Sequence, residues 1–292
     1  MKLVQRIFLQ YYTTRFKVVS WFSPRLSAKM AFELFCTPYT KTRDKQPPEI
    51  FNSAEKLSIQ VGHDTVNGFR WITAGNNSDK SILICHGFDS SSYRFASYIQ
   101  PLLDHGFNVI AFDAPGHGTS SGKTITVLSY RNMIQLVNQQ HGPFYGIMAH
   151  SFGGLAAVLA LEENKELGCE KLVLIAPSTE TIHAIETFFN YLKITSPVRK
   201  EFIKLIETLS GNPAHWFSVS RAIHNIRPQT LWIHDKQDTI TPFSHLEQLT
   251  IEQPSHVTFE ITEGFGHSPY RQPEILKKII SFFAHKDKAQ TN

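Results

Sequence analysis

The sequence predicts an α/β domain in which a mainly parallel β-sheet is covered by helices on both faces. Short apolar runs, each flanked by Gly, Pro, Asp or Ser, alternate along the chain with segments of helix length. Buried parallel strands have this continuous apolar character, and each needs a crossover, usually a helix, to reach its neighbour. A length of 292 residues and a hydrophobic fraction of 41 % are sufficient for such a domain with an insertion.

The predicted sheet begins with two runs, Leu57–Val61 and Phe69–Thr73, which a polar turn around 63–68 separates. Six later apolar runs are the remaining predicted strands: Ser81–Cys85, Val109–Phe112, Tyr145–Ala149, Leu172–Ala176, Leu231–His234 and Val257–Ile261. The helices predicted between and after them are Tyr93–His105, Thr126–His141, Gly153–Asn164 and Pro273–His285. Pro273 suits the first turn of a helix, where its missing N–H costs nothing.

The alternation stops between Ser178 and Pro228, where no strand is predicted. Two segments there, Ile182–Leu192 and Val198–Leu209, have helical patterns, and the interval is too long for a plain connection. We therefore predict an inserted helical cap. The resulting division is an N-terminal helical segment and linker (1–50), the two parts of the core (51–178 and 229–286), the cap (179–228) and a tail (287–292).

The N-terminal segment combines basic residues with apolar residues at helical spacing, such as Ile7, Tyr11 and Val18. It lacks the continuous apolar core of a signal peptide and the ~18 apolar residues of a membrane span. Two interpretations remain open. The segment either packs on its own domain or makes weak contact with a membrane surface. Lys41–Pro48, which is polar and ends in two prolines, is the predicted linker.

Composition excludes several classes of function. The net charge of +4 has no basic tract behind it, so no nucleic-acid partner is expected. Three scattered cysteines give neither a disulfide framework nor a zinc motif, and they suit a reducing, cytoplasmic location. The histidines form no ligand cluster with carboxylates or cysteines, so neither a metal nor a cofactor is expected.

Ser151 is the candidate nucleophile. It stands between the apolar run ending at Ala149 and the small-residue helix that begins near Gly153. A sharp strand-to-helix turn exposes the serine oxygen, and it requires small residues two positions before and two after. The usual pattern has Gly in both places, and Ala149 is a departure that the turn tolerates.

A serine of this kind needs a histidine base, itself oriented by a carboxylate. His267 follows the last predicted strand and is the candidate base, and Asp238 follows the strand Leu231–His234 and is the candidate acid. Ends of strands are where open α/β sheets place their sites. Asp235 competes for the role of the acid, but it lies nearer to the strand end, so we interpret it as turn-forming.

Two backbone N–H groups are candidates for binding an oxyanion. They belong to Phe152, directly after the nucleophile, and to Phe88, in the loop after Ser81–Cys85. The Phe88 ring is also a candidate wall of the acyl pocket. Three aromatic residues of the cap are further candidates for lining the pocket, and the alternative is that they form the core of the cap: Phe188, Phe189 and Trp216.

Several other polar residues receive structural interpretations. Asp113 and His117 lie in a loop rich in Pro and Gly, where Asp and Gly support tight turns. His86 is interpreted as shaping its loop. His150 precedes the nucleophile, and its side chain points the other way along the turning backbone, so it is not the expected base.

Together these motifs resemble the α/β-hydrolase superfamily, in particular its lid-bearing branch of carboxylesterases, monoacylglycerol-lipase-like enzymes and serine-aminopeptidase-like proteins. The resemblance covers roughly residues 55–286 and implies an α/β-hydrolase fold. It also implies a serine hydrolase that cleaves small or medium carboxylic esters through an acyl-enzyme. A thioesterase, an amidase or peptidase, a C–C hydrolase and a non-catalytic binding protein remain alternatives.

Overall fold

A computed structural model of the chain describes residues 3–39, 46–73 and 80–285. Residues 41–45 of the predicted linker and the predicted tail, 287–292, lie outside the described residues. Over the described ranges the chain divides into two compact units. One consists of Pro38–Thr179 and Val219–Asn292 and contains the sheet, and the other consists of Met1–Thr37 and Glu180–Ser218 and is helical.

Eight strands in the described residues form one sheet, in the order β1-β2-β4-β3-β5-β6-β7-β8. Their bounds are β1 Glu55–Val61, β2 Asp64–Trp71, β3 Ser81–Cys85, β4 Asn108–Phe112, β5 Gly146–His150, β6 Lys171–Ile175, β7 Gln229–Asp235 and β8 Val257–Thr262. β2 pairs antiparallel with both β1 and β4, and every other neighbouring pair is parallel. The predicted, mainly parallel sheet is confirmed.

The first hairpin corrects one expectation. β2 begins at Asp64, so the turn consists of Gly62 and His63 and does not extend to residue 68. Gly62 has φ +61°, the positive value that two-residue hairpin turns need to match the strand twist. The polar residues that suggested a longer turn, such as Asn67, alternate along β2 with buried ones such as Val66.

Ten α-helices occur in the described ranges: α1 Leu3–Phe22, α2 Pro24–Phe35, α3 Ala96–Asp104, α4 Val127–His141, α5 Phe152–Glu163, α6 Thr181–Tyr191, α7 Ser196–Ser210, α8 Val219–Ala222, α9 Glu247–Glu252 and α10 Pro273–Ala284. Every residue of β5 and β6 is buried, as expected when helices cover both faces of a sheet. The core includes Ile279 and Phe283 of α10 together with Tyr98 of α3.

The helical unit groups the first two helices with the inserted segment. Phe32 and Phe35 of α2 contact Phe202 of α7 and Phe188 of α6, with ring centroids 5.5 and 5.1 Å apart. This grouping differs from the predicted ranges, which separate 1–50 from 179–228. The reason is the aromatic face of α2, whose partners lie far along the chain. At the other end of the insertion, α8 belongs to the sheet-containing unit.

Candidate functional site

Ser151 lies at the turn from β5 to α5, with φ 52° and ψ −120°. A non-glycine residue in this region is strained and persists only where its surroundings hold it. Four backbone hydrogen bonds hold it here. The Ser151 N–H donates to the Ile175 carbonyl (3.0 Å), and the Ser151 carbonyl accepts from the N–H groups of Gly154 (2.9 Å), Ser178 (3.0 Å) and Leu155 (3.3 Å). Such a turn directs the serine side chain beyond the end of the sheet.

The requirement for small residues around the turn has a visible cause. A Cβ atom on Gly153 would lie 2.4 Å from the His86 carbonyl oxygen and 2.7 Å from that of Cys85. Both clashes are with backbone, which side-chain rotation cannot relieve. Ala149 is fully buried at the end of β5, so its methyl group is accommodated there. The departure from Gly at this position therefore leaves the turn intact.

The structure brings Ser151, His267 and Asp238 together. His267 Nε2 is 3.0 Å from Ser151 Oγ, and His267 Nδ1 is 2.8 Å from Asp238 Oδ2. Since a carboxylate only accepts, Nδ1 carries the proton and donates to Asp238, which leaves Nε2 as the acceptor for the serine hydroxyl. Asp238 follows β7 and His267 follows β8, so adjacent parallel strands deliver both side chains to the same edge of the sheet.

Asp238 is 4 % exposed, and its two oxygens are extensively hydrogen-bonded. Oδ1 accepts from the backbone N–H groups of Ile240 (2.8 Å) and Thr241 (2.9 Å), and Oδ2 accepts from the Thr241 hydroxyl (2.7 Å). Burial by itself raises the pKa of this carboxyl, but the hydrogen bonds and charge of His267 and the bonds from Thr241 outweigh it and lower the pKa to about 2. Asp238 is therefore ionised at neutral pH, as a partner for an imidazolium must be.

Asp235, the competing carboxylate, makes a different set of contacts. Its Oδ2 accepts from the Thr262 hydroxyl (2.7 Å) and the Phe265 N–H (2.9 Å), and its Oδ1 accepts from the Gln237 N–H (2.9 Å). These bonds connect the end of β7 to the loop that leads to His267. The contacts agree with the turn-forming interpretation.

Sequence reasoning missed Thr241 and His234. The Thr241 hydroxyl bonds Asp238 and also lies 3.3 Å from His267 Nδ1. Its carbonyl accepts from His234 Nε2 at 2.7 Å, and burial lowers the pKa of His234, which keeps that ring neutral. A local signal for the role of Thr241 was available in the sequence. Asp238 is followed three residues later by Thr241 and then by Pro242, and this pattern is typical of a turn in which the Asp side chain accepts hydrogen bonds from the residues after it.

His150 contacts the candidate base through the backbone. Its Nε2–H donates to the His267 carbonyl (2.9 Å), and the two ring centroids are 4.9 Å apart. Burial, followed by the proximity of His267, lowers the pKa of His150 to about 3, so the ring is neutral. His150 Nδ1 is buried and has no hydrogen-bond partner among the described residues. His150 thus lies beside the site in a fixed orientation, and neither of its ring nitrogens hydrogen-bonds Ser151 Oγ.

The two candidate oxyanion donors lie next to each other. The rings of Phe88 and Phe152 pack edge to face with centroids 5.8 Å apart. Neither backbone N–H donates a hydrogen bond within the described part of the chain. The loop of Phe88 is close to the serine, because a Cβ atom on Gly87 would lie 3.1 Å from Ser151 Cβ. The absence of a side chain at Gly87 therefore permits this approach.

In the loops after β3 and β4, the side chains of His86, Asp113 and His117 make hydrogen bonds to backbone groups. His86 Nδ1–H donates to the Gly87 carbonyl (2.7 Å), and His86 Nε2 accepts from the Ala114 N–H (2.9 Å). Asp113 accepts from the N–H groups of Ser92 and Thr119, both at 2.8 Å, and His117 Nε2 accepts from the Asp89 N–H at 3.0 Å. These contacts give the loops after β3 and β4 a fixed shape.

The candidate pocket residues of the insertion lie in the helical unit. Phe188 contacts Phe35, and Phe189 is fully buried against Phe202 at a centroid distance of 5.0 Å. Their rings thus contribute to the core of this unit, the alternative that the sequence left open. Trp216 lies in a short turn and packs against Phe217 at 5.2 Å. A lining role for these residues stays a prediction. In the described ranges no group of three or more His, Cys, Asp or Glu side chains is arranged to hold a metal ion.

Comparison with known proteins identifies the family. Residues 76–222 match the family described as serine aminopeptidase, S33, and this range includes Ser151, Phe88 and Phe152 but ends before Asp238 and His267. The uncharacterized protein YqkD of Bacillus subtilis is 25 % identical over 236 residues, which are 75 % of this chain and 75 % of that protein. The uncharacterized hydrolase YugF of the same organism is 26 % identical over 216 residues, covering 72 % of this chain and 66 % of YugF.

Solved structures show the same fold. The esterase Pf2001 of Pyrococcus furiosus superposes with a TM-score of 0.61 at 21 % identity, covering 85 % of this chain and 95 % of the esterase. The predicted α/β-hydrolase fold is therefore confirmed. With the family match extending over half of its length, the chain belongs to the serine aminopeptidase S33 family of α/β hydrolases.

Proposed function

We propose that this protein is a serine hydrolase that cleaves carboxylic esters of small or medium acyl groups. Ser151 is the nucleophile, His267 the general base and Asp238 the group that orients it. The observation that carries the proposal is the continuous path from Ser151 Oγ to His267 Nε2 (3.0 Å) and from His267 Nδ1 to Asp238 Oδ2 (2.8 Å). Membership of a hydrolase family and similarity to the hydrolase YugF support the class of reaction.

The first half of the reaction forms an acyl-enzyme. His267 Nε2 takes the proton of Ser151 Oγ as that oxygen attacks the ester carbonyl carbon, and the imidazolium is stabilised by the Asp238 carboxylate. The carbonyl oxygen becomes an oxyanion that accepts from the backbone N–H groups of Phe88 and Phe152. The C–O bond to the alcohol then breaks, and His267 donates its proton to the leaving oxygen.

The second half returns the enzyme to its starting state. His267 Nε2 removes a proton from a water molecule, and the water oxygen attacks the acyl carbon. The bond to Ser151 Oγ breaks, the proton passes from His267 to that oxygen, and the carboxylic acid leaves. Because Asp238 accepts from several donors besides His267, it stays ionised through both halves and stabilises each imidazolium.

A peptide bond is the second candidate substrate. It is favoured by the description of the family, which names an aminopeptidase. The same three side chains would serve, with His267 protonating an amine in place of an alcohol. A panel of esters, thioesters and amides of graded acyl length separates the candidates. We expect the highest kcat/KM on a short or medium ester. Faster turnover of aminoacyl amides would move the assignment to the peptidase.

A fluorophosphonate probe tests the nucleophile on the intact protein. We expect the probe to label the folded wild type, Ser151→Ala to abolish labelling, and His267→Ala to slow ester turnover by about 10⁴-fold or more. Tandem mass spectrometry of the labelled peptide locates the modified residue. A folded wild type that neither labels nor cleaves p-nitrophenyl esters above background would overturn the serine-hydrolase assignment and favour a non-catalytic binding protein.

A matched pair of variants tests which carboxylate orients the base. We expect Asp238→Asn to lower kcat by about 10⁴-fold, because an amide no longer favours the correct imidazole tautomer. Asp235→Asn replaces one of the two acceptor oxygens by an NH2 donor, so the hydrogen bonds from Thr262 and Phe265 or the one from Gln237 are lost; we expect lower thermal stability with most of kcat retained in the folded fraction. The opposite pattern of activities would reverse the two roles.

A further inference from the structure

Helix α1 carries an exposed apolar stripe. Ile7 is 60 % exposed, Tyr11 55 %, Val18 47 %, Trp21 77 % and Phe22 85 %. At 3.6 residues per turn these five positions fall within an arc of about 100° on the helix surface. Large apolar side chains arranged in such a stripe are typical of an interaction surface, whereas singly scattered ones need no explanation.

The opposite side of α1 is the one that packs in its own unit. Phe16 is 3 % exposed and lies about 170° from the centre of the stripe on the same helical wheel. Its carbonyl accepts from the Ser27 hydroxyl of α2 at 3.1 Å. The helix is therefore already anchored through one face, and the stripe of Ile7, Tyr11, Val18, Trp21 and Phe22 is a second apolar face that is not needed for that packing.

Basic residues flank the stripe. Arg15 lies on one border, and Arg6 and Lys17 lie on the other, at about 70 to 110° from its centre. All three side chains are exposed, and α1 contains no acidic residue. Arg15 also lies over the Tyr11 ring, 5.9 Å from its centroid, so the cationic border and the apolar stripe form one continuous surface.

We propose that this surface of α1 docks on anionic phospholipid membranes, with the apolar stripe in the interface and the basic border on the lipid phosphates. An interfacial helix has this arrangement of aromatic and aliphatic residues bordered by Lys and Arg. None of the helices in the described residues is long and apolar enough to cross a membrane. A second copy of the chain fits less well, because the basic borders of two α1 stripes would repel each other.

Vesicle flotation of the full-length protein tests the proposal. We expect the wild type to bind vesicles of phosphatidylcholine with phosphatidylglycerol, and to bind pure phosphatidylcholine several-fold more weakly. W21S/F22S removes the two most exposed aromatic side chains of the stripe and lowers the partition coefficient at least about tenfold. R15Q/K17Q lowers binding to the anionic vesicles by about tenfold or more, since each cation near the surface contributes about fivefold.

A matched control separates this surface from general hydrophobicity. Leu209 and Ile251 are 60 % and 75 % exposed and lie on other helices, so L209S/I251S removes two exposed apolar side chains elsewhere. We expect this variant, and Ser151→Ala, to bind like the wild type, because docking requires no turnover. Equal binding of W21S/F22S and the control would overturn the proposal, as would binding that ignores lipid charge. A shift in sedimentation for W21S/F22S without a change in flotation would assign the surface to self-association.

Discussion

The loss of folding stability at acidic pH can be calculated for His150, which lies at the turn of the candidate nucleophile. Its neutral ring is enclosed beside Ser151, and burial lowers its pKa from 6.5 to about 3. On acidification, the His150 side chain therefore becomes protonated near pH 6.5 in the unfolded chain, but only near pH 3 in the folded chain. Since the unfolded state binds more protons in this window, stability rises with pH across it and falls on acidification. The contribution is fully present above pH 6.5 and is lost progressively toward pH 3.

The magnitude follows from the two pKa values. Lowering the pH from about 7 to about 5 removes about 2 kcal/mol of unfolding free energy through His150 alone. Burial also lowers the pKa values of His86, His117 and His234, so they act in the same direction. Over the same pH range, the unfolding free energy of the wild type should therefore fall by more than the contribution of His150 alone.

The test compares the wild type with His150→Gln. A glutamine amide can donate to the His267 carbonyl in place of Nε2–H, but it does not titrate. Urea unfolding at about pH 7 and about pH 5, followed by circular dichroism, should show a pH-dependent loss that is smaller in His150→Gln by about 2 kcal/mol. His63→Gln is the control, because His63 is exposed in the β1–β2 turn. Equal pH dependence in His150→Gln and wild type, or a histidine NMR titration of His150 near pH 6, would refute the reasoning.

Two further predictions concern contacts of the candidate site. Thr241→Val removes a hydroxyl donor to the ionised Asp238, so we expect kcat to fall about tenfold or more with little change in KM, and Thr241→Ser to restore most of it; steady-state kinetics checks this, and an unchanged kcat in the valine variant would contradict it. Gly153→Ala forces a Cβ atom against the His86 carbonyl, so we expect a loss of about 1 to 3 kcal/mol in unfolding free energy. Urea unfolding measures this loss, and an unchanged stability would mean that the turn can shift.

Much of the fold could be predicted from local patterns. The strand Ser81–Cys85 has the predicted bounds, and those of β6 differ by one residue, because a short apolar run between turn residues is a local feature. The predicted start of the second strand of the hairpin was wrong. The polar residues at the beginning of β2 alternate with buried ones in the strand, but in the sequence they resemble a turn. The split between α1 and α2 at Ser23 also had a local signal in the Ser-Pro pair, and Ser23 Oγ does accept from Leu26 N–H.

The candidate site was partly predictable for the same reason. Ser151, Asp238 and His267 each follow a recognisable strand, and parallel strands bring their carboxyl ends to one edge of the sheet. The choice between Asp238 and Asp235 was a judgement of spacing, and the structure supplies its physical basis. The loop after β7 turns so that Asp238 reaches His267 Nδ1 at 2.8 Å, while Asp235 is occupied by Thr262 and Phe265.

By itself, then, the sequence determined the order of strands and helices, the serine at a strand-to-helix turn and the order along the chain of Ser151, Asp238 and His267, the candidates for nucleophile, acid and base. These depend on periodicity, turn residues and chain direction, which are properties of short segments. The tertiary structure alone decided that α2 packs with the insertion, that Thr241 bonds Asp238, and that His150 donates to the His267 carbonyl across 117 positions of sequence. Such contacts depend on how loops and helices pack in three dimensions, and no local pattern records which distant partners they meet.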